Sequence, residues 1–145
     1  MIRKFALTIS FLSFFIITAF AQGGDAILGK WANSTKEGQI TIYKKGDKYF
    51  GKLSWIKEPN DANGKPKTDV RNPDKVLQGR PELGLELLKD FAYKGEQVYE
   101  DGTIYDPKSG KTYSCKLTLD GRKLKIRGYI GISLIGRTET FTRVD

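Results

Sequence analysis

The chain contains no histidine, and this absence removes several common kinds of site. Without an imidazole there is no Ser-His-Asp triad, no histidine ligand for zinc and no easily placed general base near neutral pH. No glycine-rich phosphate-binding motif follows a predicted strand. We therefore expect no catalytic residues, no metal ion and no cofactor. A carboxylate pair remains an alternative route to acid–base catalysis, with Glu100, Asp101 and Asp106 as candidates, although Glu100 and Asp101 alternate to opposite faces.

Cysteine is almost absent as well, since Cys115 is the only one in the chain. A single cysteine cannot form an internal disulfide. Strand alternation places Cys115 between Tyr113 and Leu117 on an apolar face. A cysteine in that setting is usually a small, inert core residue, and we interpret Cys115 in this way.

No hydrophobic run in the sequence reaches the ~20 residues that a membrane-spanning helix needs. The longest is Phe5 to Phe20; it follows Arg3 and Lys4 and ends at Ala19-Phe20-Ala21. A positive start, an apolar stretch and a small-x-small motif are typical of a cleaved signal peptide. We predict a signal peptide over residues 1–21, export to the periplasm or the medium, and one domain over residues 22–145. The residue directly after the cleavage site is Gln22 and not a cysteine, so a lipid anchor is not expected.

The sequence also lacks a clustered basic stripe, so nucleic acid is not an expected partner. The formal net charge is +8, and it falls to +6 when Arg3 and Lys4 leave with the signal peptide. The remaining cations alternate with apolar residues along the predicted strands, which is typical of a solvated face. The alternative is that this basic outer face attracts an anionic lipid, glycan or protein of the cell envelope.

What the sequence does contain is alternation of apolar and polar residues with a period of two, which predicts strands that are wet on one face. Asp106-Pro107 and Asp120-Gly121 mark tight turns between such segments. The predicted strands are Leu28 to Ser34, Gly38 to Lys45, Lys48 to Lys57, Leu85 to Tyr93, Gln97 to Tyr105, Thr112 to Leu119, Lys123 to Ile130 and a last segment ending at Arg143.

About eight antiparallel segments joined by hairpins predict an all-β fold, a single up-and-down barrel. Such a barrel either is filled by its own side chains or holds one small ligand. If the first and last strands meet, Arg143 can lie over the indole of Trp31 and clasp the barrel shut. The predicted apolar inner face comprises Ile40, Ile42, Leu53, Trp55, Leu117, Leu124 and Ile126.

Residues 58–79 break the strand pattern and predict a long loop with one short helical turn. Asp74 is placed to N-cap that turn over residues 75–78. Asp69, Asn72 and Asp74 are interpreted as side chains that cap their own backbone, and the alternative is a hard cation such as Ca²⁺ held by their oxygens. Arg80 is positioned to lock this loop to the barrel through one of the carboxylates.

The remaining polar candidates lie at the predicted strand ends. Two arginines on the last two strands can together chelate a carboxylate or a phosphate. Alternation places Arg127 outside, paired with Glu139, and inward rotation of a guanidinium is predicted to need a bulge at Gly128 or Gly136. The hairpin around residue 107 is either part of a ligand-binding barrel mouth or ordinary turn chemistry. The candidate ligand-binding residues are Trp55, Arg80, Tyr105, Asp106, Lys111, Tyr113, Arg127 and Arg137.

Five motifs occur in order along the chain: Asp69-x-x-Asn72-Pro73-Asp74, Arg80-Pro81-x-x-Gly84-Leu85, Gly102-x-Ile104-Tyr105-Asp106-Pro107-x-x-Gly110-Lys111-x-Tyr113, Arg127-Gly128-Tyr129-x-Gly131 and Gly136-Arg137-Thr138-x-Thr140-Phe141-Thr142-Arg143. Together they resemble an exported bacterial family catalogued as domain of unknown function 2147. They depart from its pattern at Phe141, where the family usually has Trp, and at Lys75, where it often has Pro. More remotely, Gly29-x-Trp31 with a late Arg143 is similar to the calycin pattern of lipocalins.

The resemblance implies a small exported barrel without an assigned activity. Together with the apolar inner face, it leads us to expect a non-enzymatic protein that binds a small apolar or amphipathic ligand in the barrel or at its mouth. The alternatives are an envelope interaction module that uses its basic outer face, and a carboxylate-dependent enzyme.

Overall fold

The computed structural model describes residues 23–145, so the predicted signal peptide lies outside the described residues. Residues 23–145 form eight strands and two short 3₁₀ turns. The 3₁₀ turns are Gly24–Ile27 and Lys75–Leu77; the strands are β1 (Gly29–Ala32), β2 (Gly38–Lys45), β3 (Lys48–Ile56), β4 (Glu86–Gly95), β5 (Val98–Asp106), β6 (Lys111–Asp120), β7 (Lys123–Tyr129) and β8 (Gly136–Arg143).

Each strand pairs antiparallel with the next, and β8 returns to β1, so the sheet closes into a barrel. The closing contact joins Trp31 to Arg143 and Ala32 to Thr142. The predicted up-and-down barrel of about eight strands is confirmed, and so is the predicted strand over residues 85–93, which the structure shows as β4. Within residues 23–145, no helix has the length and apolarity to cross a membrane.

One end of the barrel is sealed by the N-terminal 3₁₀ turn and by a cluster of tyrosines. Ile27 is fully buried, and the Tyr99 hydroxyl donates to the carbonyl of Gly24. The hydroxyl of Tyr49 donates to Asp25 at 2.6 Å, and its ring meets that of Tyr99 edge-on with centroids 5.3 Å apart. Ile27, Tyr49 and Tyr99 are all buried, so these side chains fill this end of the barrel.

Trp31 and Arg143 complete the sealed end. The indole is fully buried and donates through Nε1 to the carbonyl of Ile27 at 2.9 Å. The guanidinium of Arg143 lies over the indole with Cζ 4.1 Å from the ring centroid. It also donates to the carbonyls of Leu28 at 2.8 Å and Ala26 at 2.5 Å. Arg143 therefore ties the last strand to the chain segment that enters the first.

Replacing Arg143 by methionine is expected to lower the free energy of unfolding by about 2 kcal/mol, because one cation–π contact and two charged hydrogen bonds are lost while the apolar stem is kept. Urea denaturation measures the change. Arg122→Met is the matched control, because Arg122 pairs with Asp145 at the exposed surface and is expected to change stability by less than about 0.5 kcal/mol. Equal stability of the two variants would contradict this account of the barrel closure.

The core lies inside the barrel and follows the predicted alternation. Ile40, Ile42, Leu117, Leu124 and Ile126 are all buried. Cys115 is buried among them, and burial raises the pKa of its thiol to about 12 despite weaker hydrogen bonds from the backbone of Arg127 and Lys116. A thiol in this state is inert at neutral pH, in agreement with its interpretation as a core residue.

The placement of Trp55 on the inner face is wrong. The β2–β3 register shifts between Gln39 and Ile40, so that Ile40 faces Leu53 while Gln39 faces Trp55. The extra residue, Ser54, reverses the alternation, as a β-bulge does. Trp55 consequently points outward with 42% of its surface exposed, and Ile56 turns inward in its place.

The opposite end of the barrel is the mouth. Four connections gather there: residues 33–37, 57–85, 107–110 and 130–135. The connection 57–85 is the long loop predicted from the sequence, and its 3₁₀ turn begins after Asp74, whose Oδ1 accepts from the Val76 amide at 3.0 Å. Function in such folds is usually concentrated where loops meet at one end of a rigid scaffold.

Candidate functional site

A cavity of about 1270 Å³ occupies the half of the barrel nearer the mouth and opens to solvent between the mouth loops. Its deeper walls are apolar and come from strands on all sides, with Ile40, Leu53, Ile104, Ile126 and Phe141 among them. The sealed-end residues Ile27, Trp31, Tyr49 and Tyr99 do not line it. The barrel is therefore filled at one end and hollow at the other, a shape that suits one small ligand.

Strand β8 supplies one carboxylate and one guanidinium to the wall of the cavity. Every residue from 136 to 141 borders the cavity, and Glu139 and Phe141 belong to its inner face because they pair with the buried Ile126 and Leu124 of β7. The β7–β8 register pairs Gly128 with Arg137 and Ile126 with Glu139 and contains no shift. The prediction that inward rotation of an arginine requires a bulge at Gly128 or Gly136 is thus wrong, because ordinary alternation already turns Arg137 inward.

Arg137 and Glu139 are two residues apart on one face, and neither takes part in a salt bridge among residues 23–145. Glu139 is half-buried and deeper in the barrel, while Arg137 is exposed nearer the mouth. On β8 the cavity therefore offers one acceptor group and one donor group that form no ion pair within the described residues. A ligand with its own polar group can satisfy both.

The predicted pair of Arg127 with Glu139 does not form. Arg127 does lie outside, as alternation indicates, but it faces Thr138 rather than Glu139. Its guanidinium donates to Thr138 Oγ1 at 2.8 Å and to the carbonyls of Ser133 at 2.6 Å and Leu134 at 3.3 Å. Arg127 therefore shapes the β7–β8 loop and is not part of the cavity.

Glu82 and Lys67 from the long loop lie at the rim of the cavity. Partial burial raises the pKa of the Glu82 carboxyl, the negative charge of Asp69 adds to this, and the charges of Lys67 and Lys108 oppose it. The loop segments that carry Glu82 and Lys67 are joined directly, because the Glu82 amide donates to the carbonyl of Lys67 at 2.9 Å. The rim is therefore one structural unit with mixed charge.

Asp69 anchors this unit to the barrel. Its carboxylate is fully buried and accepts hydrogen bonds from Asn72 at 2.9 Å, Arg80 at 3.0 Å and the Tyr105 hydroxyl of β5 at 2.5 Å. Burial alone raises the pKa of Asp69, but the hydrogen bonds from Tyr105, Asn72 and Arg80 and the charge of Arg80 outweigh it, so the pKa is lowered. The locking role considered for Arg80 matches this geometry.

The oxygens of the Asp69 loop are engaged by the protein itself. Asn72 Oδ1 accepts from the Asp74 amide at 2.8 Å, and the Asn72 side chain donates to Asp69. Across residues 23–145, no group of three or more Asp, Glu or Cys side chains is arranged to hold a metal ion. The arrangement matches the backbone-capping interpretation of Asn72 and Asp74, whereas Asp69 bonds to side chains.

The predicted ligand-binding residues divide into two groups. Tyr105, Asp106, Tyr113 and Arg137 line the cavity, and Trp55, Arg80, Lys111 and Arg127 do not. Asp106 also accepts from the Lys108 amide at 3.0 Å and from the Ser109 hydroxyl at 2.8 Å, so the turn chemistry considered as its alternative is present too. The structure thus brings half of the predicted set to one site.

Several cavity residues were not predicted, among them Glu139, Phe141, Ile104 and Glu82. A signal for the first two exists in the sequence, because Arg137, Glu139 and Phe141 alternate with three threonines along β8. If the apolar Phe141 faces inward, strand alternation places Arg137 and Glu139 inside the barrel as well. Of the carboxylates considered for catalysis, Glu100 and Asp101 form ion pairs with Lys116 and Lys94, at 3.6 and 2.6 Å.

Comparison with known proteins bears on the fold and on the family. The chain is similar to the solved structure of protein HP1028 from the human pathogen Helicobacter pylori, which is described as belonging to the lipocalin family; the TM-score is 0.72 at 21% identity, over 82% of this chain and 83% of that one. At that identity the likeness shows the fold alone, which is lipocalin-like. No curated protein sequence matches.

The family model of uncharacterised proteins conserved in bacteria, DUF2147, matches residues 29–143, from the first residue of β1 to the last residue of β8. That span includes both the clasp at the sealed end and the charged face of β8 inside the cavity. The resemblance seen in the five sequence motifs is thereby confirmed, and the chain belongs to the DUF2147 family.

Proposed function

We propose that the protein is exported and, without catalysing a reaction, binds one small amphipathic molecule inside its barrel. The observation that carries this proposal is the half-hollow barrel, which has apolar walls and, on β8, an arginine and a glutamate that form no ion pair within the described residues. Ligand pockets in proteins typically enclose about 300–1,000 Å³ and combine apolar walls with a few polar groups. The lipocalin-like fold supports the same conclusion, since barrels of this size hold single small ligands.

The order of groups along β8 indicates how such a ligand lies. Phe141 is deepest, Glu139 follows, and Arg137 is nearest the mouth. The apolar part of the ligand packs against Phe141 and Ile126, and its polar part faces Glu139 and Arg137. A polar group with both a donor and an acceptor satisfies the two side chains together, whereas a purely apolar ligand leaves both unpaired.

Export rests on the signal-like residues 1–21. Expression of the full chain in a bacterial host with an intact secretion system is expected to yield a periplasmic or extracellular product whose N-terminus is Gln22. Intact-mass analysis of that fraction measures it. Retention of the full-length chain in the cytoplasm would contradict this part of the proposal.

Replacing Gly38 by phenylalanine is expected to weaken binding of an amphipathic probe by at least about tenfold, since the new ring fills the cavity near the mouth. Gly38 lines the cavity, and a Cβ at this position would meet only ordinary contacts, Leu53 Cδ1 and the Trp55 carbonyl at 3.8 Å. The fold should tolerate the change. Titration with anilinonaphthalene sulfonate, followed by its fluorescence, measures the affinity.

Gly79→Phe is the matched control, because Gly79 lies outside the cavity and a Cβ there meets nothing within 4 Å. Arg137→Gln should also weaken the sulfonate probe, because it removes the only cavity cation on β8. Equal affinity of wild type and Gly38→Phe would place the probe elsewhere and overturn the proposal. Native mass spectrometry of the purified protein is expected to show a co-purified small molecule that Gly38→Phe lacks.

A further inference from the structure

The loop between β7 and β8, residues 130–135, exposes an unusual amount of apolar surface. Its sequence is Ile-Gly-Ile-Ser-Leu-Ile, and the exposed fractions are 72% for Ile130, 58% for Ile132, 84% for Leu134 and 66% for Ile135. Isolated exposed aliphatic residues are common on soluble proteins and need no explanation. Four within six residues form a contiguous patch, which is typical of a contact site for another molecule or a membrane.

Hydrogen bonds hold the loop in one conformation, so the exposure of its apolar side chains is part of the folded structure. The Ile130 amide donates to the Ile135 carbonyl at 3.3 Å, and the Ile135 amide donates to the Ile132 carbonyl at 3.1 Å. From the barrel wall, Arg127 donates to the carbonyls of Ser133 and Leu134. Ile130 and Ile135 border the cavity mouth, whereas Ile132 and Leu134 do not line the cavity.

Basic residues lie directly beside the apolar tip. A shallow hollow of about 360 Å³ separates the loop from the outer face of the barrel, and it is lined by Lys116, Lys125 and Arg127 together with Ser133, Leu134 and polar threonines. No carboxylate lines this hollow. Lys116 has an acidic neighbour, Glu100, at 3.6 Å. The hollow is therefore complementary to an anionic group presented next to an apolar surface.

An anionic phospholipid bilayer presents both features at one surface, with phosphates above acyl chains. We propose that the β7–β8 loop docks the barrel on such a bilayer, with Ile132 and Leu134 entering the interfacial region and the cations of the hollow facing the phosphates. Interfacial binding of this kind combines apolar burial with electrostatic attraction. It directs the mouth of the barrel toward the lipid, because the loop forms part of the mouth.

Co-sedimentation with vesicles tests the apolar contact. Protein lacking residues 1–21 is expected to sediment with mixed phosphatidylcholine–phosphatidylglycerol vesicles and much less with phosphatidylcholine alone. The double variant Ile132→Ser with Leu134→Ser should bind the mixed vesicles at least about tenfold more weakly. Val76→Ser is the control for losing an exposed aliphatic side chain elsewhere, since Val76 is 88% exposed on the Lys75–Leu77 turn, belongs to neither the β7–β8 loop nor the hollow, and should weaken vesicle binding far less than the double variant.

A second pair of variants tests the charged contact. Lys125→Gln should weaken binding to the mixed vesicles about fivefold, whereas Lys48→Gln, an exposed lysine at the sealed end, should change it little. Added salt should weaken the wild type more than Lys125→Gln. A Leu134→Trp variant should shift its added fluorescence to the blue when mixed vesicles are added, since the indole leaves water.

Three results would overturn the proposal: no sedimentation with mixed vesicles at low salt, equal sedimentation of wild type and the loop double variant, or no blue shift for Leu134→Trp. Tight binding to soluble dextran sulfate that the loop double variant retains in full would also overturn it in favour of a polyanion site. Anilinonaphthalene sulfonate binding in the barrel is measured separately. Failure of vesicle docking is thus distinguishable from failure of the proposed ligand binding.

Discussion

Replacing Gly102 by valine is expected to lower the free energy of unfolding by at least about 3 kcal/mol, because the new side chain has no room in the core. A Cβ on Gly102 would lie 2.5 Å from Cγ of Phe91 and 2.6 Å from both of its Cδ atoms. Phe91 is fully buried in the closed barrel, so its ring cannot move without displacing other core residues. Urea denaturation of wild type and variant measures the difference.

Two further variants test whether contact with Phe91 causes the loss of stability. Gly79→Val is the control for the change from glycine, because Gly79 has open space around it and should alter stability by less than about 0.5 kcal/mol. Adding Phe91→Leu to Gly102→Val should restore part of the lost stability, although Phe91→Leu alone destabilises the core. Wild-type stability of Gly102→Val, or no coupling in the double-mutant cycle, would refute the close approach of the two residues.

The sequence predicts the strands of this barrel well but does not predict the contact between Gly102 and Phe91. Alternation identifies β2, β6 and β7 nearly to the residue, because each has one wet face. The contact depends on irregularities in β4 and β5, where Asp90 and Asp101 adopt positive φ values of 64° and 66°. Such bulges shift which residues oppose each other, and their positions follow from tertiary packing rather than from local alternation.

The candidate site was predicted less well, for a related reason. Charged residues in a strand normally face water, so the sequence predicts Glu139 on the outer surface as a partner of Arg127. In β8 the register with β7 places Thr138, Thr140 and Thr142 on the outer face, and the charged side chains between them face a cavity that the sequence cannot reveal. Side-chain identity indicates polarity, whereas only the closed barrel determines which polar residues meet ligand and which meet solvent.

The sequence also fails to predict the β7–β8 loop, which lies at the surface. Ile130 continues the alternation of Leu124 and Ile126, so the sequence favours a longer strand with Ile130 facing inward. In the structure β7 ends at Tyr129, and Ile130 belongs to a turn that is closed by backbone hydrogen bonds and by Arg127. An exposed aliphatic loop has the same residue pattern as a buried strand, and only burial distinguishes them.

Replacing Asp69 by asparagine is expected to destabilise the protein by about 3 kcal/mol near neutral pH. The carboxylate accepts from Asn72, Arg80 and Tyr105 while fully buried. An amide offers one acceptor oxygen and turns its own donor toward groups that are themselves donors. Thermal unfolding measures the change, and Asp74→Asn is the matched control, because asparagine also serves as an N-cap and the position is exposed.

The pH dependence of stability shows whether the Asp69→Asn effect comes from losing the ionised carboxylate or from disturbed packing. The pKa of Asp69 is lowered in the folded protein, so the carboxylate contributes stability that is present above its unfolded pKa of about 4 and is lost as the pH falls through the lower folded value. The stability difference between wild type and Asp69→Asn should therefore be constant from pH 5 to 7, roughly, and shrink below about pH 4. A difference that persists unchanged in acid would argue against the ionised network.

Because Asp69 joins the long loop to β5, its loss should loosen the rim of the cavity before it loosens the barrel. The Asp69 amide donates to the Arg80 carbonyl at 2.9 Å, and Lys67 and Glu82 lie just beyond that contact at the mouth. Hydrogen exchange should accelerate in residues 67–82 of Asp69→Asn while the amides of β6 and β7 stay protected. Uniformly faster hydrogen exchange over all strands would instead show that Asp69 stabilises the whole barrel and does not stabilise the mouth separately.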